Sequence, residues 1–96
     1  MTEMQIDSFL AVAETLNFSR AAEQMDISQP TLSKHIKLLE ENLGFPLLER
    51  TRSAVALTPE GVLMYHTLKG VQDQVRLSIS RSRSGIVGAR KTVGIG

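Results

Sequence analysis

The stretch "DISQPTLSKHI", residues 26–36, decides the fold because it joins a helix start to helical spacing of apolar residues. Leu32, Ile36 and Leu39 recur at steps of four and three, which predicts a helix with one apolar stripe. Pro30 falls in the first turn, where a backbone N–H would have no helical partner. The proline therefore marks the start of a helix and does not interrupt one.

The boundaries of this helix and of its neighbours follow from residue types. Ser28 and Gln29 are both candidates for the N-cap, since the residue before a proline avoids helical geometry. Gly44 predicts the end, because glycine tolerates the left-handed conformation common there. An amphipathic helix over residues 4–16 precedes, followed by a short helix with Ser19 as its predicted cap. The three-residue connection "DIS" then predicts a helix-turn-helix.

The second half of the chain predicts a two-stranded wing and a long helix. "PLLER" and "AVALT" are strand candidates joined by "TRSA", and Thr58 with Pro59 marks a further helix start. That helix should run over residues 59–85, longer than so small a domain can cover. The exposed part of its stripe therefore predicts a dimer through a second copy. The predicted interface residues are Met64, Leu68, Val71, Val75 and Ile79.

The fold class that these elements define is mainly α, a winged helix-turn-helix with a three-helix core, followed by a long linker helix. We divide the chain into a winged helix-turn-helix over residues 1–58, a linker helix over residues 59–87 and a segment over residues 88–96. "KTVGIG", at the end of this last segment, resembles the opening of a strand. The segment is therefore interpreted as the front of a longer chain.

The helix that carries Leu32, Ile36 and Leu39 has a polar face suited to reading bases in a major groove, which admits a helix whose side chains are slim. Gln29 can bond bidentately to an adenine edge or donate to a guanine acceptor. Ser33 can bond a base edge or a phosphate, and Lys34 can reach guanine O6 and N7. Pro30 and Thr31 offer apolar contact to a thymine methyl group. These five residues are the candidate base contacts.

A second group of side chains is suited to phosphates or to the minor groove, because it is basic or lies at a helix start or on the wing. Arg50 has an alternative interpretation, a structural ion pair with Glu40, Glu41 or Glu49. The candidates of this group are Ser19, Arg20, Ser28, Lys37, Arg50, Thr51 and Arg52.

Composition and motifs exclude several classes of function. The chain has 96 residues, no cysteine and a net charge of +1, which predicts one small domain without disulfides or thiolate metal sites. Neither His35 nor His66 lies near a nucleophile elbow, a metal-ligand spacing or a phosphate loop, so we predict neither an enzyme nor a metal site. No apolar run is long enough for a membrane span. A protein-interaction module using the same helices remains the alternative to DNA binding.

The segments "SRAAEQM", "SQPTLSKHIKLLEENLG", "PLLERT" and "LTPEG", at these spacings, resemble the N-terminal domain of the LysR-type transcriptional regulators. The resemblance extends over essentially the whole chain. It implies base contacts from the positions of Gln29, Pro30, Ser33 and Lys34, and backbone or minor-groove contacts from the wing. Many relatives have arginine in place of Lys34, and many carry more basic residues where this chain has Ser53 and Ala54.

The same resemblance implies the partners. They are double-stranded DNA with an interrupted palindrome and a second copy bound antiparallel through the linker helix, with RNA polymerase as a further candidate and no membrane. The implied full-length assembly is a dimer or a tetramer. The resemblance also implies that residues 88–96 are the start of a truncated effector-binding domain. A small-molecule inducer is expected for that domain, and no cofactor for this segment. The implied location is the bacterial cytoplasm.

Overall fold

Six elements follow one another in the part of the chain that the structure describes, which is the backbone of residues 1–92 and the side chains of residues 1–83. In this computed structural model three helices come first, an antiparallel two-stranded sheet follows, and one long helix comes last. The predicted fold class, a winged helix-turn-helix with a long C-terminal helix, is confirmed. The elements are α1 (Glu3–Thr15), α2 (Phe18–Met25), α3 (Gln29–Leu43), β1 (Leu48–Arg50), β2 (Val55–Leu57) and α4 (Pro59–Thr92).

The start of α2 differs from the sequence prediction. Leu16 takes a left-handed conformation with φ 51° and ends α1 one residue earlier than expected. The chain then extends through Asn17, whose Oδ1 accepts from the backbone N–H of Arg20 at 3.0 Å. Asn17 is therefore the N-cap, and Ser19 lies inside the first turn. Both residue types cap helices well, so the early end of α1 decides between them.

The boundaries of α3 agree with the sequence and settle the choice of cap. Ser28 is extended and its Oγ accepts from the backbone N–H of Thr31 at 3.3 Å, so Ser28 is the N-cap and Gln29 the first helical residue. Pro30 lies in the first turn, as predicted. Gly44 closes the helix in the left-handed region at φ 86°.

The core lies between the first three helices and the start of the wing. Leu32, Ile36 and Leu39, the predicted stripe of α3, are at most 1% exposed. Ala21 and Ala22 are the buried face of α2, and their small side chains let α2 approach its neighbours closely. The other buried apolar residues are Phe9, Leu10, Ala11, Val12, Leu47, Leu48 and Leu68.

The wing is anchored to α3 by a contact that the sequence did not indicate. In the antiparallel sheet Leu48 pairs with Leu57 and Arg50 with Val55. The backbone N–H groups of Leu47 and Leu48 both donate to Glu40 Oε2, at 2.6 and 3.2 Å. A carboxylate that accepts two backbone hydrogen bonds fixes the strand entry to the helix.

The start of α4 contacts the chain that enters the wing. Thr58 is buried, and its hydroxyl donates to the carbonyl oxygen of Pro46 at 2.8 Å while accepting from the backbone N–H of Gly61 at 2.9 Å. A Cβ added at Gly61 would collide with the carbonyl oxygen of Leu47. Gly61 therefore permits the close approach of these two backbones.

The helix α4 is longer than predicted and continues through Thr92. Lys91 and Thr92 are helical, so the strand predicted for "KTVGIG" does not begin there, and the rest of that segment lies outside the described residues. Within the searched part of the chain, no helix is both long enough and apolar enough to cross a membrane.

Polar contacts join α4 to α1. The Tyr65 hydroxyl donates to Glu14 Oε2 at 3.0 Å, and Lys69 Nζ lies 3.6 Å from the same carboxylate and 3.6 Å from Asp73. Gln72 Nε2 donates to Asp7 at 2.9 Å. Acidic side chains of α1 thus face α4, which orients the long helix relative to the three-helix core.

Candidate nucleic-acid interface

The N-terminal part of α3 presents the predicted polar face to solvent. Gln29, Pro30, Thr31 and Lys34 are exposed, and Ser33 is half-buried. With successive helical residues rotated by about 100°, Pro30 and Lys34 lie opposite the buried stripe and the other three lie to its sides. All five candidate base contacts are therefore together on one accessible helix end.

The hydroxyl groups at this helix end are already engaged with one another. Ser28 Oγ donates to Thr31 Oγ1 at 2.8 Å while it accepts the capping hydrogen bond from the Thr31 amide. The hydroxyl of Ser28, which is predicted as a phosphate contact, is thus also part of the helix cap. The methyl group of Thr31 and the ring of Pro30 remain the apolar part of this surface.

The first residue of α3 contacts the first turn of α2. Gln29 Nε2 donates to Ser19 Oγ over 2.6 Å, and both side chains are exposed. Arg20, next to Ser19, and Lys37, one turn beyond Lys34, are also exposed. The candidate phosphate contacts on α2 and α3 thus flank the candidate base contacts.

The wing brings further basic side chains next to α3. Arg50 extends over the ring of Phe18, with Cζ 4.0 Å from the ring centroid, and its Nη2 donates weakly to Ser33 Oγ at 3.4 Å. Among the described side chains Arg50 forms no ion pair, so the alternative interpretation, a pair with Glu40, Glu41 or Glu49, is not supported there. Arg50 instead connects the wing to α2 and α3.

The tip of the wing is a tight turn. The backbone N–H of Thr51 donates to the Ala54 carbonyl at 2.9 Å, and the Ala54 N–H donates to Thr51 Oγ1 at 3.1 Å. The hydroxyl of Thr51 therefore holds the turn closed. Arg52, between these two residues, is exposed and is the basic side chain at the tip.

The predicted dimer residues on α4 divide into two groups. Leu68 is 7% exposed and belongs with half-buried Met64 to the core of this chain, so Leu68 is a correction to the predicted interface. Val71, Val75 and Ile79 are about half exposed, at 55%, 52% and 49%. They line a groove of about 480 Å³ between α1 and α4.

The two histidines make side-chain contacts within the fold. His35 Nδ1 lies 3.1 Å from the hydroxyl of fully buried Ser8, which ties α3 to α1. His66 contacts Tyr65 edge to face, with ring centroids 5.4 Å apart. Within residues 1–83 no cluster of three or more histidine and acidic side chains could hold a metal ion.

Three helices, a wing and an exposed polar helix end define the winged helix-turn-helix class. Residues 4–62 match the family model described as "Bacterial regulatory helix-turn-helix protein, lysR family". The match extends over more than half of the chain, which therefore belongs to the LysR family.

Relatives of known name agree with this assignment. The chain is 40% identical over 92 residues to a probable cat1 operon transcriptional activator of Acinetobacter lwoffii, covering 96% of this chain and 30% of that protein. It is 40% identical over 88 residues to the transcriptional regulator BenM of Acinetobacter baylyi, covering 92% of this chain and 29% of BenM. The chain thus spans about a third or less of the length of these relatives.

Solved structures show the same fold. The BenM DNA-binding domain in complex with catB site 1 DNA superposes with a TM-score of 0.84 at 36% identity, covering 90% of this chain and 96% of that one. The CbnR DNA-binding domain in complex with DNA gives a TM-score of 0.82 at 32% identity, covering 90% and 99%.

Proposed function

We propose that this chain is the DNA-binding part of a LysR-type transcriptional regulator, with α3 in the major groove and the wing on the backbone or in the minor groove. The observation that carries the proposal is the exposed end of α3, where Gln29, Ser33 and Lys34 share one face. The DNA complexes of BenM and CbnR, whose fold is the same, support it.

Base reading falls to the side chains at the start of α3. Lys34 is exposed and is suited to guanine O6 and N7, although it is a single point-like donor without the planar fork of arginine. Gln29 provides an amide edge, and Pro30 with Thr31 provides apolar surface for a thymine methyl group. Ser33 is half-buried and close to Arg50, which makes a phosphate its better partner.

Phosphate binding falls to the exposed cations around this face. Arg20 on α2, Lys37 on α3 and Arg52 on the wing tip flank the base-reading end of α3. Such contacts position the protein on the duplex without reading its sequence. Arg50 serves mainly to hold the wing, because its guanidinium already lies over Phe18.

We further propose that two copies associate through α4. The groove between α1 and α4 is lined by apolar Ile6, Val71, Val75 and Ile79, and its rim carries both acidic and basic side chains, Glu3, Asp7 and Arg76. A second α4 in antiparallel orientation would cover this apolar surface. Two recognition helices related by twofold symmetry would then read an interrupted palindrome.

We propose in addition that the whole regulator has a further domain and a further partner. Relatives are about three times longer than this chain, which supports a further domain in the whole regulator. The resemblance to LysR-type regulators implies that this domain binds an effector and responds to a small inducer. One relative is named as a probable operon transcriptional activator, which supports RNA polymerase as an additional partner of the whole regulator.

A salt titration tests DNA binding against the alternative of a protein-interaction module. The affinity of the chain for a labelled duplex of random sequence should fall linearly with salt on logarithmic axes, because phosphate contacts release counterions. Lys37→Ala should lower the slope by about 1. Lys69→Ala removes the same charge from α4, where Lys69 pairs with Glu14, and should leave the slope unchanged. A wild-type affinity that does not depend on salt would contradict the proposal.

A further inference from the structure

The hydrogen bond between Gln29 and Ser19 links the two helices of the helix-turn-helix at their first turns. This hydrogen bond, 2.6 Å long, joins the side-chain amide of the first residue of α3 to the hydroxyl of the second residue of α2. Both side chains are exposed, so the contact contributes little to the core. Its consequence is that the Gln29 amide has a defined orientation before any ligand arrives.

The direction of this hydrogen bond restricts what Gln29 can offer to a base. A glutamine amide has two N–H donors and one oxygen acceptor. Ser19 occupies one N–H, which leaves one donor and one acceptor. Adenine presents one acceptor, N7, and one donor, the N6 amino group, whereas guanine presents the two acceptors N7 and O6. The remaining N–H and oxygen of Gln29 therefore match the acceptor and the donor of adenine. Against guanine, the oxygen of Gln29 would face a second acceptor.

We infer that Ser19 is a positioning residue that sets Gln29 to read adenine in preference to guanine. The inference rests on the proposed function, since it concerns how the same helix end reads its bases. It resolves the choice between adenine and guanine that residue types alone left open for Gln29.

The hydroxyl of Ser19 is free to do more than hold the amide. It acts as the acceptor toward Gln29, so its own O–H can donate to a phosphate oxygen beside the groove. Ser28, the nearest other hydroxyl in the sequence, is committed to the cap through Thr31 and does not compete for Gln29. The hydroxyl of Ser19 would thus contact the DNA backbone and orient the Gln29 amide at the same time.

The experiment compares wild type with Ser19→Ala, Ser19→Thr, Gln29→Ala and the double variant Ser19→Ala/Gln29→Ala. Duplexes that the wild-type chain selects from a random pool provide the probe. Each position is then replaced by the other base pairs, and the position where Gln29→Ala loses discrimination is assigned to Gln29. Ser80→Ala, the same change at an exposed site on α4, serves as the control. Circular dichroism confirms that every variant is folded.

Ser19→Ala should lower the preference for adenine over guanine at that position about threefold to tenfold, the effect of losing one orienting hydrogen bond. It should have no such effect when Gln29 is already alanine, and Ser19→Thr should keep the preference because the hydroxyl remains. Equal weakening of Ser19→Ala on all duplexes, or an unchanged preference, would overturn the inference.

The outcomes separate this inference from the proposed function. If wild type selects a sequence and Ser19→Ala leaves the adenine preference intact, or no position responds to Gln29→Ala, the inference fails and DNA recognition stands. If wild type enriches no sequence at all, the proposed function fails and the inference fails with it.

Discussion

The guanidinium of Arg50 lies 4.0 Å above the centre of the Phe18 ring, so the last residue of β1 is stacked on the first residue of α2. Arginine is well suited to this role, because its planar group stacks on aromatic faces and keeps its charge. The contact joins the wing to the helix-turn-helix. The wing therefore has a fixed position beside α3, which it needs if both are to contact one duplex.

A double-mutant cycle measures this contact. Arg50→Ala and Phe18→Leu should each lower the free energy of unfolding, with a coupling of about 0.5–1 kcal/mol, typical of an exposed cation–π pair. Urea unfolding of the four proteins gives the coupling. The matched control pairs Arg52→Ala with Phe18→Leu, where no coupling is expected. Strictly additive effects of Arg50→Ala and Phe18→Leu would show that the stacking contributes nothing.

The backbone contact at Gly61 makes a second prediction. Gly61→Ala should destabilise the fold by about 1–3 kcal/mol, because the added Cβ collides with the Leu47 carbonyl and neither backbone can move freely. Gly70→Ala is the control: a Cβ there meets nothing within 4 Å, and alanine favours the helix by about 0.5–1 kcal/mol. Thermal unfolding of both variants checks the opposite signs. Equal stability of Gly61→Ala and wild type would refute the close approach.

The third prediction concerns Tyr65 at alkaline pH. Its hydrogen bond to the Glu14 carboxylate, with the negative charge there, raises the pKa of the Tyr65 hydroxyl above its usual value. A raised pKa means that the stabilisation is complete below about pH 10 and is lost as the pH rises through the folded value. The chain has one tyrosine and no tryptophan, so phenolate absorbance reports Tyr65 directly. The pH midpoint of this absorbance change should be lower for the chain unfolded in urea, and for Glu14→Gln, than for the folded wild type. The same midpoint for the folded and the unfolded chain would contradict the contact.

The fourth prediction tests the dimer through α4. Val71→Asp should shift sedimentation from dimer to monomer without unfolding, because Val71 is exposed in one chain and an unpaired carboxylate in an interface is costly. Leu77→Asp is the control, an exposed apolar residue outside the residues that line the groove. Leu68→Asp should instead unfold the chain, since Leu68 belongs to its core. A dimer that survives Val71→Asp would place the interface elsewhere.

Local rules predicted the elements well. The proline in the first turn and the left-handed Gly44 are determined by neighbouring residues, and the structure places both as expected. The cap is Ser28, one of the two candidates that the sequence left open. The apolar stripe of α3 was readable for the same reason, since helical periodicity depends on few tertiary contacts. The exposed face with Gln29 and Lys34 follows directly from that stripe.

Contacts between distant residues were not readable from the sequence. Glu40 receives the amides of Leu47 and Leu48, and nothing in the spacing distinguishes it from the adjacent Glu41. The partner of Arg50 is aromatic and comes from α2, whereas charge alone suggested a nearby acid. Leu68 has the periodicity of its exposed neighbours, and only the packing of α4 on the core separates it from them.

The central claim is that the end of α3 reads DNA sequence, and selection from a random pool of duplexes tests it most directly. The wild-type chain should enrich an interrupted palindrome. Lys34→Ala should lose about 1–3 kcal/mol of discrimination at one base pair in each half-site. Lys37→Ala should weaken binding to all duplexes and keep the same preferred sequence. A pool that stays random after selection by the folded wild-type chain would contradict the claim.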